Sequence, residues 1–163
     1  MLERRAMTRR ADLDDFDRRI LTELQRDSRQ TLAELGTRVG LSQTPCWRRV
    51  RRLEEAGVIR GYGVRVDPAA VGFGEVIFAF LTMGAHTVEL QDEIRRALEL
   101  VPEIQEAHFL SGDPDFLLKI LAVDSQHYVR EILPRLYRLP HVRSVRSSFS
   151  LGRVKEAEAV PVQ

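Results

Sequence analysis

Two short helical stretches meeting at Gly40 set what the first part of this chain can become. Thr31 followed by Glu34 is a capping box, and Leu32, Leu35 and Val39 then recur on one helical face. Gly40 ends that helix as a left-handed glycine does. Ser42 is the next N-cap, and Pro45 falls in the first turn, where its missing N–H costs little. Cys46, Val50 and Leu53 then form an i, i+4, i+7 stripe that Gly57 closes. Gly36 is small enough to let the two helices approach closely. Upstream, Asp14 with Asp17 reads as an N-cap with an acid at N3, and Phe16, Ile20, Leu21 and Leu24 follow at helical spacing. Leu32 to Arg51 therefore fits a helix-turn-helix.

On the second of these helices a step of about 100° per residue turns Cys46, Val50 and Leu53 inward. Thr44, Arg48, Arg51 and Arg52 then face outward, with Gln43 and Trp47 on the flank. Gln43, Thr44 and Arg48 suit base edges in a major groove, while Arg49, Arg51 and Arg52 suit phosphates; Ser42 stands at the helix entrance. The charge supports a polyanion partner for this half. Residues 1–66 hold 15 arginines against 10 acidic residues, whereas residues 67–163 hold 10 basic and 14 acidic ones, so the net +1 hides a basic half and an acidic half.

Beyond Gly57, Val58, Ile59, Val64 and Val66 around Gly61-Tyr62-Gly63 predict a short β-ribbon, a wing. Asp67-Pro68 and Gly72 mark a linker over 67–74. The remainder alternates: a strand Glu75–Met83, a helix Thr87–Leu100, strands Ile104–Leu110 and Asp115–Val123, a helix Ser125–Leu139 and a strand Val142–Leu151. The order β-α-β-β-α-β is that of a ferredoxin-like unit, so the fold class is α+β, a winged helix-turn-helix over 13–66 and a βαββαβ sandwich over 75–155. Pro134 within the last helix predicts a kink, or an end near Leu133. Helices covering one face of a sheet leave strands that alternate apolar and polar. Val76-Ile77-Phe78-Ala79-Phe80-Leu81 is instead apolar throughout, and Phe116-Leu117-Leu118 and Ile120-Leu121-Ala122-Val123 nearly so. The second face therefore calls for a cover, and another copy of the sheet, in a homodimer, supplies one.

With these motifs in hand, residues 13–155 resemble the leucine-responsive/asparagine-responsive (Lrp/AsnC, "feast/famine") regulators. The resemblance rests on Leu13-Asp14 through Asp17, Gly40-Leu41-Ser42-Gln43-Thr44-Pro45-Cys46-Trp47, Arg51-Arg52-Leu53-Glu54 and Gly57-Val58-Ile59-Arg60-Gly61-Tyr62. It is carried further by Ser111-Gly112-Asp113-Pro114-Asp115-Phe116-Leu117-Leu118 and Leu139-Pro140-His141-Val142. It implies a DNA-binding transcription regulator of amino-acid metabolism genes, with double-stranded DNA and a small amino acid as partners. It also implies dimers that assemble to octamers, and an effector bound between dimers near Leu110, Gly112, Asp113 and Asp115. The family usually carries an aromatic residue where Pro114 stands, in the loop that shapes the pocket. By their own chemistry Gly112 allows close backbone approach and the two aspartates can accept from an α-ammonium, while the same four residues also suit a plain hairpin turn.

Other functions find little support. His86, His108, His127 and His141 lack metal-ligand spacing, and the lone Cys46 lies on an inward helix face, which reads as a buried structural thiol rather than a nucleophile. Neither Gly61-x-Gly63 nor Gly72-x-Gly74 extends to a phosphate loop. No enzyme and no cofactor beyond an amino-acid effector is expected. An RNA-binding module would want exposed strand aromatics for base stacking, but those here sit in apolar runs. No apolar run approaches the roughly 18 residues of a membrane span, and Arg4, Arg5, Arg9 and Arg10 are followed by no apolar signal core. The expectation is a cytoplasmic, nucleoid-associated protein with a flexible basic tail over 1–12 and a second tail over 156–163.

Overall fold

The computed structural model describes residues 11–84, 88–155 and 159–162. The chain divides into two compact units, one holding residues up to 64 together with 154–162, the other 65–153. The predicted basic tail lies for the most part outside the described residues.

The first unit is built on three helices, α1 (Asp15–Arg26), α2 (Leu32–Val39) and α3 (Gln43–Glu55). Asp14 caps α1 and Thr31 caps α2, each through a complete capping box in which the N3 acid, Asp17 or Glu34, returns a bond to the cap amide. Each box satisfies two amides that a helix start otherwise leaves without partners. Between α2 and α3, Gly40 adopts a left-handed φ of 79°, and the Leu41 amide donates to the Gly36 carbonyl at 2.8 Å. The turn is tight enough that a Cβ on Gly36 would lie 2.7 Å from the Leu41 carbonyl oxygen. Ile20, Leu21, Leu35, Val39, Cys46, Val50 and Leu53 form the core, as the periodicity predicts. Burial pushes the Cys46 thiol pKa up, which keeps it protonated and inert.

One expected position is kept and one expected element is not formed. Ser42 precedes α3 as its N-cap but makes no side-chain cap hydrogen bond. An N-cap oxygen accepts from N2 or N3, and N3 here is Pro45, which has no amide to give. Nor does any strand form over the predicted wing, residues 58–66. A β-ribbon needs two rows of paired backbone groups, and two glycines within three residues weaken both rows. Val64 and Val66 are left 90% and 60% exposed.

The second unit is a four-stranded antiparallel sheet in the order β2-β3-β1-β4, with β1 Glu75–Met83, β2 Ile104–Phe109, β3 Phe116–Ala122 and β4 Val142–Phe149. Helix α4 (Val88–Glu99) joins β1 to β2, and a helical run over 125–137, α5, joins β3 to β4. The predicted helix start at Thr87 lies outside the described residues. This is the ferredoxin-like arrangement expected. Ile77, Ala79, Leu81 and Met83 of β1 and Phe116, Leu118, Ile120 and Ala122 of β3 share one face with Ile94, Leu98, Tyr128, Ile132 and Leu136 in a single core. The opposite face carries Val76, Phe78 and Phe80 of β1 beside Leu117 and Lys119 of β3, all half-buried. A 3₁₀ turn, Ala69–Val71, lies in the predicted linker.

Pro134 neither ends nor breaks α5. The residues before it, Tyr128–Ile132, form a π-helical turn, and the Leu133 amide donates to the Tyr128 carbonyl five residues back. Widening the helix by one residue relieves the carbonyl that a proline ring would otherwise strike. The Tyr128 hydroxyl meets the Ser147 hydroxyl at 2.5 Å, fastening this helix to β4.

The Gly36 contact gives a direct test of the first unit. Gly36→Ala should cost about 1–3 kcal/mol through overpacking against backbone that cannot rotate away. A urea titration should show the loss in the unfolding of the helical unit, with the exchange protection of β1 and β3 amides unchanged.

Candidate nucleic-acid interface and sensing loop

The orientation of α3 is fixed from its inner side by a carboxylate. Asp17, in the first turn of α1, is fully buried. Its Oδ1 accepts from an Arg49 amino group at 2.9 Å, and its Oδ2 accepts from Arg52 and from the Asp14 amide at 3.1 Å. The same Arg49 nitrogen reaches the Asp14 carboxylate at 2.6 Å, and its guanidinium lies 5.3 Å from the centre of the Phe16 ring. A buried charge is tolerated when it is paired and fully hydrogen-bonded, and a carboxylate at a helix N-terminus also meets the positive end of the helix dipole. The Asp17 amide, followed by the Arg49 guanidinium, holds the Asp14 carboxyl below the ordinary carboxylate range, and contact with both aspartates raises Arg49.

This cluster divides the arginines of α3 between two directions. Arg49 and Arg52, three residues apart, turn toward the start of α1. Arg48 and Arg51 stay exposed on the neighbouring face, Arg51 within 3.7 Å of Glu55. Ser42, Gln43, Thr44 and Trp47 are exposed as well, Trp47 by 48%. The residues picked out for base contact thus share one open surface, while those picked out for phosphate have carboxylate partners, Arg49 and Arg52 at the start of α1 and Arg51 within its own helix. The sequence signal that could have found them is their i, i+3 spacing opposite an acid at N3 of the preceding capped helix. Downstream, Tyr62 donates to Glu54 at 2.9 Å, and burial, followed by that carboxylate, pushes its phenol up to about 12.

In the second unit, the loop between β2 and β3 closes through the Leu110 amide, which donates to the Asp115 carbonyl at 2.8 Å. Gly112 takes a φ of 121°, in the left-handed half of the map, and the Asp113–Pro114 peptide is cis. The two aspartates part company here. Asp115 is buried; its amide donates to the Leu81 carbonyl at 2.9 Å and its carboxylate accepts from the Met83 amide at 2.7 Å. That bond falls where the β1–β4 register shifts, between Thr82 and Met83. Asp113 is exposed, 3.3 Å from the Thr82 hydroxyl. Thr82 and Met83 are brought to the loop by the fold, which no local pattern announces.

Residues 13–60 match the winged helix-turn-helix DNA-binding family and residues 76–160 the Lrp/AsnC ligand-binding domain. The leucine-responsive regulatory proteins of Escherichia coli K12 and Salmonella typhimurium are each 38% identical over 152 residues, 93% of this chain and 93% of theirs. This chain belongs to the Lrp/AsnC family. Members of the family are transcription regulators rather than enzymes, and this is a DNA-binding transcription regulator with a ligand-binding domain. Among solved structures, an AsnC family regulator from Agrobacterium tumefaciens superposes with a TM-score of 0.85 at 34% identity, over 91% of this chain and 97% of that one. A transcriptional regulator from Neisseria meningitidis solved with L-methionine gives a TM-score of 0.85 at 31% identity, over 91% and 96%. Among the described residues no helix is long and apolar enough to cross a membrane, and no group of three or more His, Cys, Asp or Glu could hold a metal ion.

The division of the arginines is measurable. Arg51→Ala should flatten the log–log salt dependence of DNA binding by about 0.9, one phosphate's worth, with the melting temperature unchanged. Arg49→Ala should leave that slope alone and lower the melting temperature, because it strips a buried carboxylate of its partner. Arg48→Ala should relax specificity at one base pair by roughly 1–3 kcal/mol. The depressed Asp14 and Glu34 carboxyls give the same unit an acid limit. Their stabilisation is present above their ordinary pKa values and fades as pH falls through the lowered ones. Circular dichroism from pH 6 down to pH 2 should therefore show helix loss beginning near the ordinary carboxylate range.

Proposed function

We propose that this chain regulates genes of amino-acid metabolism as a homodimer or a higher assembly of dimers, up to an octamer, with DNA affinity tuned by a small amino acid. In this reading it works on the nucleoid, in the cytoplasm. The observation that carries the proposal is the exposed row Ser42, Gln43, Thr44, Trp47, Arg48 and Arg51 on a helix set in place by Asp17. Base-edge and phosphate donors along one face of a capped helix suit a major groove. Arg49 and Arg52 tie that helix to the buried Asp17 of α1.

Two further observations support the sensing and assembly parts. Asp113 is the exposed acid of the Leu110–Asp115 loop, beside the Gly112 backbone, and is assigned to the ammonium group of the amino acid. Asp115, buried and bonded to Met83, builds the loop. Leucine, for the leucine-responsive relatives, and methionine, for the regulator solved with it, are the first effectors to try. For assembly, the half-buried Val76, Phe78, Phe80 and Leu117 cover the face that the helices leave open. A two-fold pairing of that face would bury the apolar strip against itself. Coupling between effector and DNA is then a difference in effector affinity between two arrangements of the dimers, typically about 1–3 kcal/mol.

The experiment is a fluorescence titration of promoter DNA at fixed salt, with and without each of the twenty amino acids, alongside light scattering. Asp113→Ala should abolish the effector's influence while leaving effector-free affinity within about twofold, well under the range of typical couplings. Asp115→Ala should instead lower the melting temperature. Phe80→Glu should yield a monomer at micromolar concentration. If no amino acid shifts either DNA affinity or particle size, the sensing part of the reading fails and the DNA-binding part stands.

A further inference from the structure

The division of the chain assigns residues 154–162 to the helix-turn-helix unit, although they follow β4 in sequence. The contact responsible is specific. The Gln25 side-chain amide donates to the Val160 carbonyl at 3.2 Å, and the Val160 amide donates back to Gln25 Oε1 at 2.6 Å. One primary amide thus satisfies both main-chain groups of a single residue, as an adjoining strand would. The Val160 side chain itself is 75% exposed, so the bonds read backbone and not side chain. Pro161 has no amide to leave unpaired. Val162 supplies the apolar anchor and packs on the core cluster of Leu21, Leu35, Cys46 and Leu53.

The segment forms one wall of an open groove of about 870 Å³ whose other walls include Leu13, Leu21, Leu24, Val58 and Ile59. Val58 and Ile59 have a second task. Their amides both donate to the Leu53 carbonyl, at 2.9 and 3.1 Å, and so close the end of α3. Whatever presses on Val58 and Ile59 also braces the end of the recognition helix.

We propose that the Val160–Val162 segment docks on the helical unit of its own chain, at Gln25 and the core beside Val58 and Ile59, and that its seating stabilises the DNA-binding unit through the α3 terminus. The segment is tethered, so docking is intramolecular and proceeds at a high effective concentration. The docking surface takes a short apolar strand whose first residue offers both backbone groups to Gln25 and whose third is a β-branched anchor. This identifies a contact outside both the DNA-facing row and the Leu110–Asp115 loop.

Hydrogen exchange on the full-length protein tests it. In the parent chain the Val160 amide should exchange at least about tenfold more slowly than an unstructured amide. Val162→Asp and Gln25→Ala should each remove that protection and speed exchange at Val58 and Ile59, and the double variant should add little to either single one. Protection in α2, at Leu35 and Val39, reports whether the unit still folds; if Val162→Asp unfolds it, Gln25→Ala, a change on the surface of α1, decides alone. An unprotected Val160 amide in the parent, or protection surviving Gln25→Ala, overturns the proposal. Protection that vanishes on dilution to the monomer overturns it too, because the occupant is then the segment of a second copy.

Discussion

The Asp17 carboxylate takes bonds from Arg49, Arg52 and the Asp14 amide while shut away from water, and the presentation of α3 follows from that geometry. Desolvating a carboxylate costs several kcal/mol unless its partners are well placed. With Arg49 and Arg52 drawn toward α1, the rotation of α3 about its own axis is settled. The face opposite the core stripe of Cys46, Val50 and Leu53 is then the face that carries Thr44, Arg48 and Arg51. Burial of the Cys46-Val50-Leu53 stripe favours that rotation, and the buried acid secures it with a residue that also completes the cap of α1.

In the sheet unit the corresponding part falls to β1, which pairs with β3 on one side and β4 on the other. Its alternate residues Ile77, Ala79 and Leu81 lie in the core, and Val76, Phe78 and Phe80 lie on the open face, where Arg146 stacks 4.9 Å from the centre of the Phe80 ring. The same strand ends at Thr82 and Met83, which hold the two aspartates of the β2–β3 loop. One element thus borders both the proposed pairing face and the proposed effector loop. A shift at either place has a short route to the other through a strand hydrogen-bonded along both edges.

What could be read from the sequence was what is local in sequence. Both capping boxes, the Gly40 turn and the Cys46-Val50-Leu53 stripe depend on spacings of three or four residues, and the structure has them as expected. The strands were legible because apolar runs bounded by turn residues leave few alternatives. The hydroxyl of Ser42 shows where local reading stops, since its cap bond fails through a proline three residues on. The π turn before Pro134 is a second case: the sequence marked the conflict without saying how the backbone resolves it. The pairing of Asp17 with Arg49 and Arg52, the bond from Met83 to Asp115 and the seat of Val160 on Gln25 each span more than thirty residues. They follow from tertiary placement, so Arg49 and Arg52 read from the sequence as phosphate contacts when both are bonded to the buried Asp17.

The tight turn at Gly36 has a genetic consequence. A Cβ there would meet a main-chain oxygen rather than a movable side chain, so no smaller substitute exists and no rotamer offers escape. The damage would stay in the helical unit, because the sheet unit has a core of its own. An allele altered at this codon would therefore encode a chain with a weakened helical unit yet able to build its sheet. Mixed with intact chains in any assembly joined through that sheet, such subunits would occupy places while reading an operator less well. The lesion would then behave as dominant, whereas loss of the whole chain would behave as recessive.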